Sequence, residues 1–124
     1  MKIIATKNAP AAVGPYVQAR VVNGFLFTSG QLGINPETGS FAGDDVASQT
    51  KQVLANLEAL LKEAGVGKEA VIKVTIFLKD MNTFGEVNEL YGQFFSDHLP
   101  ARSTVEVARL PLDGLVEMEI IAAV

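Results

Sequence analysis

The chain has 124 residues, 48% of them hydrophobic and 19% charged, with a net charge of -4, one histidine and no cysteine. That size and apolar content exclude a disordered chain and predict one domain over residues 1–124 that buries roughly two-thirds of its unfolded surface. The missing cysteines exclude disulfides, zinc knuckles and thiol nucleophiles, the lone histidine excludes a His-rich metal site, and an acidic chain with scattered basic residues is a poor nucleic-acid binder.

In chain order, the first residues are too short an apolar run for a signal peptide, and no span approaches the roughly 20 apolar residues of a membrane helix. A soluble, cytoplasmic protein with no membrane partner is expected. KIIAT near the start has strand character. VQARVV and FLFTSG flank Asn23-Gly24, whose two positive φ values suit a type I′ turn, so these segments are predicted to form a hairpin. Val46 to Ala64 carries Val46, Val53, Leu54, Leu57, Leu60 and Leu61 at helical period, with Gly65 as the residue after the cap. VIKVTIFL, Val71 to Leu78, is continuous enough in apolar residues for a strand inside a sheet. Thr83 and Glu86 have capping-box spacing and open a second helix whose stripe is Val87, Leu90, Tyr91, Phe94 and Phe95. STVEVARL and LVEMEIIAAV close the chain as two strands that PLDG is expected to join as a hairpin. The predicted order β-β-α-β-α-β-β leaves one sheet face without helices, and its apolar content favours coverage by a second copy.

Several residues invite chemistry. His98 sits where the second helix should end, as a helix-end cation. GVGKEA lacks the P-loop pattern because Lys62 and Glu69 occupy its required Gly and Ser/Thr positions. Ser29 in TSGQ has neither the GxSxG elbow nor a histidine partner. Tyr91 fits a core position, and Asn88 lies just off the buried stripe. Glu117 and Glu119 alternate with Val116, Met118 and Ile120, as on a half-exposed strand. Arg102 follows Pro-Ala at a strand start, where a rigid backbone suits a guanidinium fork aimed at a planar carboxylate.

GPYVQA (14–19), FLFTSGQLGINPETG (25–39), KVTIFLKDMNTFGEVNELYGQFF (73–95) and PARSTVEVARLP (100–111) together resemble the Rid family of enamine/imine deaminases over essentially the whole chain. The resemblance implies an α+β, chorismate-mutase-like fold of about six strands in a mixed sheet with two helices on one face. It also implies a homotrimer with active sites between subunits. The implied reaction is hydrolysis of 2-iminopropanoate and 2-iminobutanoate, released by PLP-dependent dehydratases, to a 2-oxo acid and ammonia, with no cofactor or metal. Carried over by position, Arg102 becomes the carboxylate anchor and Glu117 the holder of the attacking water. Tyr16, Ser29, Gly30 and Asn88 line the pocket. Thr104 stands where many members carry cysteine. Other members of the family are described as ribonucleases or translation inhibitors and as chaperone-like binders, and a module that senses small 2-oxo acids through Arg102 without turnover is a further alternative.

The expected hairpin adds a geometric point. With Leu110 opposite Leu115, Arg102 would face Ala123 and Glu117 would face Ala108, roughly 20 Å apart at about 3.3 Å per residue. The two could then share a site only if the pairing is shifted or if they come from different subunits.

Overall fold

The structure is a computed structural model that describes residues 1–124. Its strands are β1 (Lys2–Ile4), β2 (Ala19–Val22), β3 (Phe25–Thr28), β4 (Gln31–Leu32), β5 (Val71–Leu78), β6 (Ala101–Glu106) and β7 (Val116–Ala123), and its helices are α1 (Val46–Glu63) and α2 (Phe84–Phe95). The strands form a mixed sheet ordered β1-β2-β3-β7-β5-β6, with β4 also paired to β7. Both helices pack on one face, in the α+β arrangement that the resemblance implies.

Local rules account for most of these elements. Asn23 (φ 51°) and Gly24 (φ 81°) make the tight turn between β2 and β3. Asp45 caps α1 by accepting a hydrogen bond from the Ser48 backbone N–H, and Gly65 ends it at φ 85°. The leucine stripe of α1 and Val87, Tyr91 and Phe95 of α2 meet Val74, Ile76 and Leu78 of β5 and Val116, Met118 and Ile120 of β7 in one core. Strand alternation then sends Glu117, Glu119 and Ile121 to the other face.

Three differences from expectation stand out. First, the closing strands are not a hairpin. β6 runs parallel to β5, with Arg102 level with Val74, while β7 is antiparallel to β5 on its other side, with Ile120 level with Val74. The run β5-α2-β6 is a βαβ unit, in which a helix supplies the long crossover that parallel strands need. Residues 107–115 then carry the chain past β5, through Leu112 (φ 57°) and Asp113 (φ 59°) and an Arg109–Asp113 ion pair of 2.8 Å. Turn chemistry in PLDG was therefore legible, but not which strands it separates. Second, the capping box does not form: Thr83 donates its hydroxyl to the Asp80 carbonyl, because a short 3-10 turn over Met81–Thr83 precedes α2. Third, α2 stops at Phe95, and His98 Nε2 instead lies 2.8 Å from the Val71 carbonyl, tying the loop to the start of β5.

The uncovered face carries exposed apolar side chains among the charged groups of Arg20, Lys73, Glu117 and Glu119. Ile3, Phe25, Phe27 and Val105 all point to it and are 51%, 44%, 44% and 44% exposed. No helix of the chain is long and apolar enough to cross a membrane.

Candidate active site

The sequence-predicted residues fall into two groups. The first lines a cleft of about 710 Å³ that contains Tyr16, Ser29, Gly30 and Glu117, with Leu32, Leu112 and neighbouring prolines as apolar walls. Gln18, only 6% exposed, shapes one wall by donating from its amide nitrogen to the carbonyls of Ala9 and Pro10 and accepting from the Thr6 N–H. On another side, Asn56 of α1 donates to the carbonyls of Leu32 and Ile34, and Gln49 bonds Gly43 and Leu115.

Within the cleft, Ser29 donates its hydroxyl to the Val17 carbonyl at 2.6 Å. That bond positions the strand end and leaves no base to activate the oxygen, in keeping with the absence of an elbow motif. Gly30 has a different task. A Cβ at this position would lie 2.7 Å from Glu117 Oε1, so only glycine lets the carboxylate rest against the backbone. Burial pushes the Glu117 carboxyl above its ordinary range, and the charge of Glu119 adds to the shift. A carboxylate whose pKa is raised in this way is a stronger proton acceptor than an ordinary glutamate when ionised.

The second group lies at the far edge of the sheet. Arg102 Nη1 donates to Asn88 Oδ1 at 2.7 Å, and the guanidinium carbon sits 4.8 Å from the Tyr91 ring centre and 5.3 Å from that of Phe84. No carboxylate is within ion-pair distance of Arg102; the chain's ion pair is Arg109 with Asp113. Thr104 follows on the same face of β6, and its hydroxyl is buried without a hydrogen-bond partner, as is that of Tyr91.

One chain therefore does not unite the two groups. Arg102 shares the helix face with Val74, whereas Glu117 pairs with Phe77 and points to the open face. They are two strands apart and three residues along, which places their backbones on the order of 14 Å apart before the side chains diverge. The hairpin premise was wrong, yet its consequence stands for this different reason.

Residues 6–124 match the family model described as Endoribonuclease L-PSP. The chain belongs to the Rid family. Among curated relatives, it is 58% identical to the RutC family protein slr0709 of Synechocystis sp., across 98% of this chain and 95% of the relative. It is 49% identical to the 2-iminobutanoate/2-iminopropanoate deaminase of Escherichia coli K12, across 98% of this chain and 96% of that enzyme. Among solved structures, the Rid-family protein YyfA from Yersinia pestis superposes with a TM-score of 0.97 at 49% identity, covering 99% of this chain and 98% of YyfA. The names across the Rid family are thus mixed, with a deaminase and an endoribonuclease both represented.

Phe84 and Tyr91 are the functional candidates that pattern reading missed. Tyr91 was read as core, and it is only 4% exposed, yet its ring face meets Arg102. The signal was present in the spacing: Phe84, Asn88 and Tyr91 recur one turn apart on α2.

Proposed function

We propose that this protein hydrolyses 2-imino acids such as 2-iminopropanoate and 2-iminobutanoate to 2-oxo acids and ammonia, in the cytoplasm, as a homotrimer. The observation that carries the reading is an oriented arginine whose partners are all neutral. Its charge and most of its fork are free for a substrate carboxylate, which two parallel bonds would fix in direction as well as position.

The arginine of one subunit then meets the cleft of the next. The exposed apolar side chains of the open face support this assembly, since covering Phe25, Phe27 and Val105 with another copy removes them from water. Glu117, on that same face, reaches a site to which the neighbour brings Arg102. Tyr16 and Ser29 bound the space for the imino acid, and Gly30 admits both substrate and carboxylate. Asn88 and Thr104 belong to the arginine side.

The chemistry asks little of the protein. A protonated imine carbon is already electrophilic, so water adds directly once both are held at near-attack distance, an effect worth roughly 7–11 kcal/mol at best. Glu117 takes a proton from the water as the C–O bond forms and returns it to the nitrogen of the carbinolamine. The C–N bond then breaks as the hydroxyl gives its proton to Glu117 and the C=O forms; ammonia leaves, takes up that proton as ammonium, and the 2-oxo acid remains. Thr104 in place of cysteine leaves this sequence intact, because no step uses a thiol.

Generating 2-iminobutanoate in place with a threonine dehydratase and following its decay tests the reading. Faster decay with the protein, lost with Arg102→Ala, is expected. Unchanged decay would remove the enzyme reading, and binding of 2-oxobutanoate without turnover would favour a sensor. Ribonuclease action is disfavoured by the net charge of -4 and scattered basic residues.

A further inference from the structure

Arg102 raises a question that substrate binding alone does not answer: what keeps a partly exposed guanidinium in one place without neutralising it. Proteins usually orient arginine with a carboxylate, and the resulting ion pair would compete with any incoming anion. Here the orienting groups come from a single stripe of α2. Phe84, Asn88 and Tyr91 stand at i, i+4 and i+7, and β6 lays Arg102 along them.

We propose that Asn88, Phe84 and Tyr91 form a charge-neutral cradle that positions the Arg102 fork while leaving its positive charge uncompensated, and that Asn88 is an amide, not a carboxylate, for this reason. The inference rests on reading Arg102 as a carboxylate anchor, and it assigns Asn88 to holding the arginine. Each partner constrains a different freedom. The Asn88 carbonyl fixes the fork within its plane by taking one Nη1 proton at 2.7 Å. The two rings fix the plane itself, through the attraction of a cation to a π face.

Tyr91 also stays neutral. Burial pushes its hydroxyl up to about 12 against the opposing pull of Arg102, so the guanidinium meets a ring and never a phenolate at physiological pH. Glu86 and Glu89 are on the same helix, but neither forms an ion pair with Arg102. The stripe thus excludes negative charge at each of the three positions that touch the arginine.

The decisive variant is Asn88→Asp, which keeps the shape and the oxygen that accepts from Arg102, adds a negative charge, and loses only the amide NH2, which donates no hydrogen bond here. Calorimetric titration with 2-oxobutanoate, the stable carbonyl counterpart of the imine, should show at least a tenfold weaker Kd, with thermal stability unchanged or raised. In the imine assay the same variant should raise KM while kcat at saturation stays near that of the wild type. Tyr91→Leu should weaken binding at least fivefold more than Tyr91→Phe, which keeps the ring, and a melting curve of each identifies a fold defect. Wild-type affinity in Asn88→Asp, with binding lost in Arg102→Ala, would overturn the cradle and leave the anchor standing. Wild-type affinity in Arg102→Ala would overturn both.

Discussion

Arg102 and Glu117 lie on opposite faces of the same sheet, on strands that β5 separates. A mechanism that uses both calls for a second subunit, and the exposed Phe25, Phe27 and Val105 on the face of Glu117 are the side chains that the proposed assembly would cover. The arrangement divides labour: one edge of the chain carries the free positive charge, and the opposite face carries the candidate base.

Glu117→Gln should abolish turnover and preserve 2-oxobutanoate binding, because it removes proton transfer and not the anchor. Its effect on stability has a defined sign. The folded carboxyl titrates above the ordinary 4.5, so stability from the protonated form is fully present below that value and is lost as pH rises through the folded pKa. The glutamine variant should therefore melt higher than wild type at neutral pH, with the gap closing below about pH 4. Turnover by the wild type should fall on acidification at a pH above that of an unperturbed glutamate.

Gly30→Ala tests the close approach to Glu117. The added methyl would sit 2.7 Å from the carboxylate oxygen, and the side chain must swing away. Turnover should drop by at least about tenfold, a change of roughly 1.4 kcal/mol in barrier height. Stability should change by less, since the displaced group is the end of a flexible chain, and a melting curve beside the assay separates the two.

Asn56→Ala probes the scaffold. Asn56 is fully buried and holds the carbonyls of Leu32 and Ile34, which form the cleft wall. Leaving those carbonyls without a partner should cost about 2 to 3 kcal/mol in denaturant unfolding. Asn56→Asp should be worse still, because it replaces the two donor bonds with a buried charge.

Much of this was legible in the sequence wherever a local rule decides the outcome. The Asn23-Gly24 turn, the leucine stripe ending at Gly65 and the apolar run from Val71 to Leu78 all matched their elements. Strand pairing was not local. Whether β7 joins β6 or inserts between β3 and β5 depends on which neighbours β5 must satisfy, and PLDG reads as the same turn in either case. The site was legible in the same uneven way. Arg102 stood out through the motif around it, whereas the one-turn spacing of Phe84, Asn88 and Tyr91 was readable but acquired a meaning only with its partner on β6 in place. No pattern in the sequence marks Gln18, Gln49 or Asn56 as buried, and their burial is visible only in the fold.

The most direct test of the shared site mixes two inactive proteins. Arg102→Ala and Glu117→Gln subunits, co-refolded in equal amounts, should regain activity, because each mixed trimer contains one site with an intact arginine and an intact glutamate. Random assembly into cyclic trimers predicts recovery of roughly a quarter of wild-type activity. Mixed oligomers confirmed by native mass spectrometry yet as inactive as either parent would contradict the account.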